Sequence, residues 1–227
     1  MRNFKRALIT GISGSGGSYL AEYIIRNHPK TKVFGIYRNK TENLTHIIKQ
    51  KSNLIRCDLN DFKKTFYSIK KTKPDVIFHL ASNADVKKSF DYPMEIINNN
   101  NNCTLNLLES VRKLKINPII QICSTSEVYG MVTKKETPIK ETNPFRPASP
   151  YAVSKAFQDL IAQNYYKNYG LKIIITRMFT YLNPRRTNLF ASHWADQVSK
   201  IEMGKTKILK HGNLKSTRTI IDIDDAM

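Results

Sequence analysis

Three glycines near the amino terminus, Gly11, Gly14 and Gly17, stand at G-x-x-G-x-x-G spacing between a short apolar run and an amphipathic stretch. The run Arg6-Ala7-Leu8-Ile9-Thr10 reads as a buried strand, and 18–28 reads as a helix with Leu20, Tyr23 and Ile24 on one face. Glycines at a strand-to-helix turn let the backbone bend tightly and approach a pyrophosphate, which the positive end of the following helix stabilises. This placement predicts a dinucleotide-binding turn, and it constrains the fold more than any other stretch of the chain.

The rest of the chain continues the same rhythm. Strands are predicted at 6–10, 32–37, 53–57, 76–80, 119–123 and 172–177, with helices at 62–71, 94–115 and 151–169 between them. Alternating strands and helices predict an α/β fold, a doubly wound parallel sheet with helices on both faces. After Arg177 the pattern changes to a loop, a helix with Phe190, Trp194, Val198 and Ile201 in register, and two short strands. Residues 1–178 therefore read as one domain, and 179–227 as the start of a second lobe.

Two stretches carry chemistry. In Ser149-Pro150-Tyr151-Ala152-Val153-Ser154-Lys155 a tyrosine precedes a lysine by four residues, which puts phenol and ammonium on one helix face. The cation lowers the phenol's pKa, so that Tyr151 acts as a base near neutral pH. In Ser124-Thr125-Ser126-Glu127 the Thr125 hydroxyl, ending the preceding strand, can bind the same substrate oxygen as Tyr151, while Glu127 offers a carboxylate for a second proton. Together these residues describe a redox site with an additional acid/base.

The end of the second strand bears on cofactor choice. An acid there binds the ribose hydroxyls of NAD, whereas a 2′-phosphate calls for basic residues. Gly35-Ile36-Tyr37-Arg38-Asn39-Lys40 holds Arg38 and Lys40 and no nearby acid, and the planar fork of Arg38 suits a phosphate, so NADP is expected. His79 lies inside an apolar run with no other ligand at metal-binding spacing; it reads as a core histidine, and no metal is expected. Cys57, Cys103 and Cys123 form no C-x-x-C pair and read as small buried apolar residues in a reducing compartment. The net charge of +19 is scattered rather than gathered in a stripe, which argues against nucleic acid while favouring a polyanionic substrate. Neither a signal-peptide core nor a membrane-length apolar run is evident, so the cytoplasm is the expected location.

These residues resemble the extended short-chain dehydrogenase/reductase family over nearly the whole chain. The matching stretches are Ala7-Leu8-Ile9-Thr10-Gly11-Ile12, Gly17-Ser18-Tyr19-Leu20-Ala21-Glu22, residues 124–130 and 149–155, Asn183-Pro184-Arg185-Arg186, and Gly212-Asn213-Leu214 with Arg218. The glycine pattern and Tyr-x-x-x-Lys define the family; Thr-Ser-Glu before Val-Tyr-Gly narrows it to sugar-nucleotide dehydratases and close relatives, and Pro-Arg-Arg with Gly-Asn-Leu points to the GDP-sugar branch. The resemblance implies a Rossmann-type domain and an NADP-dependent lyase that dehydrates GDP-mannose to its 4-keto-6-deoxy form in a homodimer or homotetramer. It implies that Asp58 and Leu59 contact adenine and that Leu80-Ala81-Ser82 forms the nicotinamide-side turn. Asn100 is implied to order a water near Lys155. Substrate contacts are implied for Thr125, Ser126, Glu127, Thr180, Arg185 and Arg218. Residues 222–227 resemble the entry to a further helix, so on this reading part of a small C-terminal substrate lobe is still to come.

Three departures bear on substrate contacts. Thr180-Tyr181-Leu182 follow Phe179 where dehydratases carry Asn-His-Glu, Cys103 stands in place of Gly, and Thr219 in place of Asp. Two other readings stay open at this point. A reductase or epimerase of the same family would leave Glu127 idle or rebinding substrate, and a non-catalytic dinucleotide-binding module would not need Tyr151.

Overall fold

The computed structural model describes residues 4–187, 189–215 and 217–227. The described residues form two compact units, one ending at Met178 and one spanning Phe179–Met227. In the first unit the elements run β1 (Arg6–Thr10), α1 (Ser15–Asn27), β2 (Lys32–Tyr37), α2 (His46–Lys51), β3 (Ser52–Arg56), α3 (Phe62–Thr72), β4 (Val76–His79), α4 (Val86–Asp91), α5 (Pro93–Lys113), β5 (Ile119–Thr125), α6 (Pro150–Tyr169) and β6 (Lys172–Met178).

The six strands form one sheet in the order β3-β2-β1-β4-β5-β6, with every pairing parallel. Parallel strands need their crossovers on the sheet faces, which is why β1 is apolar on both sides. Side chains alternate along a strand. Leu8 joins Phe34, Ile36, Ile77, Ile120 and Ile122 in the main core with Leu107, Leu108 and Val111 of α5 and Ala162 of α6, while Ala7 and Ile9 are buried outside that cluster. The chain reverses its direction across the sheet between β1 and β4, and the carboxyl ends of these strands define the crevice where folds of this kind bind ligands.

Sequence and structure differ at several boundaries. The first helix starts at Ser15, three residues before the expected start, with Gly14 as its N-cap, so its first turn is built from the glycine motif itself. A Cβ on Gly17 would lie 2.3 Å from the carbonyl oxygen of Gly11, so the helix can begin this close to the strand only with glycine there. β5 runs two residues further than expected because β6 continues to pair with it, as far as Thr125 opposite Met178. β3 starts and ends one residue early, and the short helices α2 and α4 were not foreseen. Cys57 and Cys103 are buried as expected, but Cys123 is only partly so.

Ser149 accepts the Ala152 amide at 3.1 Å, Pro150 opens α6, and Gly170 closes it in the left-handed region at φ 67°.

In the second unit β7 (Thr180–Leu182) pairs in parallel with β8 (Ile220–Asp222), with α7 (Phe190–Glu202) between them in sequence. One of the two short strands thus precedes the helix rather than following it; three residues become a strand only through a distant partner. Gln197 secures α7 to the following loop, donating to the Lys210 carbonyl at 2.9 Å and accepting its amide at 2.7 Å. The final helix, α8 (Ile223–Ala226), is capped by Asp222.

Candidate active site

The glycine turn leaves β1 and is fastened to its neighbours by backbone bonds. Gly11 N donates to Ile36 O at 2.9 Å and Gly14 N to Gly11 O at 2.8 Å. Gly11 has φ 72°, and a Cβ there would sit 2.9 Å from the backbone of Ala81. The turn therefore lies directly against the Leu80-Ala81 segment, which Thr10 holds by accepting the Ala81 amide at 3.2 Å. These contacts form a cradle that added side chains would fill, and helix α1 presents its amino end to it.

At the ends of β2 and β3, Arg38 lies 3.8 Å from Asp58 and donates to Asn99 Oδ1 at 3.0 Å. Asn60 joins the same group, donating to Asp58 Oδ1 at 2.9 Å and to Asn99 Oδ1 at 3.1 Å. Arg38 and Asp58 are both half-exposed, so their ion pair is weakly held against water and open to exchange for another anion. Arg56, which the sequence analysis did not single out, supports the loop through Arg38 O at 3.2 Å. Lys40 is exposed, and Leu59 lies in the core at 3% exposure. Near this group burial pushes the Cys103 thiol up to about 12, with Asp58 adding to the shift.

β5 and α6 carry the expected catalytic residues. Thr125 ends β5, and its hydroxyl accepts the Glu127 amide at 3.3 Å, capping a 3₁₀ turn over Ser126–Tyr129. The cap exposes Glu127 while Thr125 stays at 8% exposure. Gly130, at φ 62°, ends the turn so close to the Arg146 carbonyl that no Cβ fits. On α6, Tyr151 is 8% and Lys155 3% exposed. Lys155 Nζ donates to Cys123 O, two residues before Thr125, and to Gln158 Oε1 at 2.7 Å. Burial lowers the ammonium's pKa, partly offset by the attraction of Cys123 and Asp159. The third Nζ–H has no partner among the described residues. Ser124 Oγ is likewise buried without one. Both atoms can serve a bound group.

Asn100 is a clamp. Its side chain accepts the Asn83 amide at 2.7 Å and donates to Asn83 O at 3.1 Å and to Ser154 Oγ at 2.9 Å, tying the loop after β4 to α6. The described link from Asn100 to Lys155 runs through a side chain, Gln158, which donates to Asn100 O at 2.9 Å. Sequence reasoning passed over Gln158, although its position three residues after Lys155 puts the two on one helix face. Of the remaining expected site residues, Thr180, Arg185 and Arg218 belong to the second unit. Thr180 lies in β7, the Arg185 amide donates to Asn183 Oδ1 at 2.9 Å, and Arg218 is exposed.

Among the described residues no cluster of three or more His, Cys, Asp or Glu could hold a metal, and no helix is long and apolar enough to cross a membrane. His79 is buried between Thr10 and Thr104, not among ligands.

Comparison with known proteins gives a consistent neighbourhood. The family described as GDP-mannose 4,6 dehydratase matches residues 8–227. The GDP-mannose 4,6-dehydratase of Vibrio cholerae is 34% identical, aligned over 94% of this chain and 60% of its own length. Among solved structures, the dTDP-glucose 4,6-dehydratase of Streptomyces venezuelae, with NAD and TYD bound, matches 97% of the chain and 69% of its own, at TM-score 0.86 and 25% identity. The UDP-glucose 4-epimerase of Thermotoga maritima, with UDP-glucose, matches 97% of the chain and 70% of its own, at TM-score 0.85 and 25% identity. The chain spans about 60% of the length of the Vibrio cholerae protein and of a second GDP-mannose 4,6-dehydratase, from Yersinia enterocolitica, that is 35% identical.

Proposed function

The chain belongs to the GDP-mannose 4,6-dehydratase family, and on that premise we propose that it serves a lyase converting GDP-mannose to GDP-4-keto-6-deoxymannose with NADP. The observation that carries this reading is the bond from buried Lys155 to the Cys123 carbonyl, which fastens the Tyr-x-x-x-Lys helix to the strand end bearing Thr125 and Glu127. In this reading residues 1–178 form the cofactor domain and 179–227 begin the substrate lobe, where Thr180, Arg185 and Arg218 contact substrate. The working unit is a cytoplasmic homodimer or homotetramer.

The glycine cradle, the open Lys155 donor and the orphan Ser124 hydroxyl fit a nicotinamide dinucleotide. When bound, it accepts hydride from the sugar C4 and returns it to C6. Gly11, Gly14 and Gly17 admit its pyrophosphate, Asp58 and the backbone of the core residue Leu59 flank the adenine, and Leu80 and Ala81 flank the nicotinamide side. Arg38 takes the 2′-phosphate, exchanging its exposed contact with Asp58 for a stronger one.

Tyr151 removes the C4 hydroxyl proton, and Thr125 donates to the same oxygen. Lys155 binds the nicotinamide ribose, and its charge lowers the pKa of Tyr151. Glu127 takes the C5 proton, which the new C4 ketone acidifies, and passes it to the C6 hydroxyl, which leaves as water. The proton held by Tyr151 then returns to C5. The net change is loss of one water with no external reductant.

The epimerase likeness favours a second reading, in which the same tyrosine and lysine act and Glu127 takes no proton. Incubating the purified protein with GDP-mannose and NADP, followed by mass spectrometry, separates the two. A product lighter by one water supports dehydration; a new species of unchanged mass, separated from GDP-mannose by chromatography, supports epimerisation.

A further inference from the structure

A continuous buried chain of hydrogen bonds runs beneath the site from α6 to β1. Lys155 Nζ donates to Gln158 Oε1 at 2.7 Å. Gln158 Nε2 donates to Asn100 O at 2.9 Å and to Thr104 Oγ1. His79 Nε2 meets Thr104 Oγ1 at 2.9 Å, and His79 Nδ1 meets Thr10 Oγ1 at 2.8 Å. None of Lys155, Gln158, Thr104, His79 and Thr10 is more than 3% exposed.

Donor bookkeeping gives this chain one direction. The Thr104 hydroxyl proton goes to Asn100 O at 3.2 Å, so its lone pairs accept from Gln158 and from His79 Nε2–H. His79 is then neutral, with Nδ1 accepting the Thr10 hydroxyl proton, and Thr10 accepts the Ala81 amide. Every group is matched. Turning the Gln158 amide over would set its NH₂ against the Lys155 ammonium and its oxygen against the Asn100 carbonyl, so Oε1 must face Lys155. Two of the three Nζ–H bonds are thereby directed to Cys123 O and Gln158 Oε1, and tetrahedral geometry fixes where the third points.

We infer that Gln158 is a positioning residue that aims the remaining Lys155 donor at the nicotinamide ribose, anchored through Thr104 and Asn100. This inference rests on the reading of Lys155 given under the proposed function. A role confined to general packing would affect both halves of the cofactor alike, whereas a positioning role affects only the nicotinamide half.

The test measures binding of NADP and of 2′,5′-ADP, which lacks the nicotinamide half, by the whole chain, with thermal melting as the check on folding. Gln158→Met removes the acceptor at similar volume and is expected to weaken NADP roughly five- to tenfold, the scale of one ordinary hydrogen bond, while 2′,5′-ADP changes less than about twofold. Gln158→Glu keeps an acceptor facing Lys155 but sets its second oxygen against the Asn100 carbonyl, so it is expected to weaken NADP less than Gln158→Met does. Unchanged NADP affinity in a folded Gln158→Met protein, or equal loss of both ligands, overturns the inference and leaves the dinucleotide reading standing. If Gln158→Met does not fold, Gln158→Leu takes its place: NADP weakened with 2′,5′-ADP retained supports the role, and unchanged NADP or equal loss of both ligands overturns it. Failure of the unmutated protein to bind NADP removes the dinucleotide reading and this inference together.

Discussion

Lys155 donates to the carbonyl oxygen of Cys123, two residues before Thr125, so that α6 and the end of β5 are joined where the chemistry is proposed. Helix and strand here are not merely stacked. A buried ammonium needs acceptors to offset its lost hydration, and the Cys123 carbonyl is one such acceptor. The same bond places the ammonium beside the two elements that carry the proposed acid/base groups.

Tyr151→Phe keeps the ring and removes the proton acceptor. Turnover should fall roughly 10²-fold or more, the usual size of general-base catalysis, with cofactor binding little changed. Lys155→Met should impair both, since its ammonium serves ribose and phenol alike. Steady-state kinetics together with cofactor titration checks this, and near-normal turnover of Tyr151→Phe contradicts the proposed chemistry.

Arg38 stands at the end of β2 with Asp58 as an exposed partner. NADP should bind at least about tenfold more tightly than NAD, a difference of about 1.4 kcal/mol, and Arg38→Ala should abolish the preference. Fluorescence titration with both dinucleotides measures it. Equal affinities in the unmutated protein refute the NADP assignment.

Gly17→Ala would place a methyl group 2.3 Å from the Gly11 carbonyl oxygen, so α1 must move away from β1. Stability should drop by at least about 2 kcal/mol, as for other backbone clashes that cannot relax locally. Urea denaturation measures the loss, and an unchanged midpoint would show that the turn is slack.

His79 is held neutral: burial first, then the charge of Lys155, lowers its pKa to about 3, from 6.5 when exposed. Between these values the unfolded chain binds a proton that the folded chain does not. The contribution is therefore fully present above pH 6.5 and is lost as pH falls toward 3, at no more than roughly 1.4 kcal/mol per pH unit. Urea midpoints across pH 4 to 7 should show this slope, and His79→Gln should flatten it.

Much of the architecture was readable in the residues. β1 and β2 have the bounds that their apolar runs predict, and Ser149-Pro150 with Gly170 marks both ends of α6 to within one residue. What escaped depends on contacts distant in sequence. β5 reaches Thr125 only because β6 pairs with it, and β7 is a strand only through β8. Gln158 looks like an ordinary helix polar residue until α5 brings the Asn100 carbonyl and Thr104 within reach. Likewise Arg38 and Asp58, 20 positions apart, met because β2 and β3 are adjacent in the sheet.

The central claim is that hydride leaves and returns within one turnover while Glu127 removes the C5 proton. Glu127→Gln keeps size and hydrogen bonding but not basicity, so oxidation at C4 should proceed while elimination stalls. The direct measurement is nicotinamide absorbance after GDP-mannose is added to the Glu127→Gln protein with NADP. The account predicts that reduced NADP accumulates on the enzyme and that solvent deuterium fails to appear at C5. Dehydration of GDP-mannose by Glu127→Gln at the unmutated rate, with no accumulated reduced cofactor, would contradict it and leave Glu127 a structural residue at the end of β5.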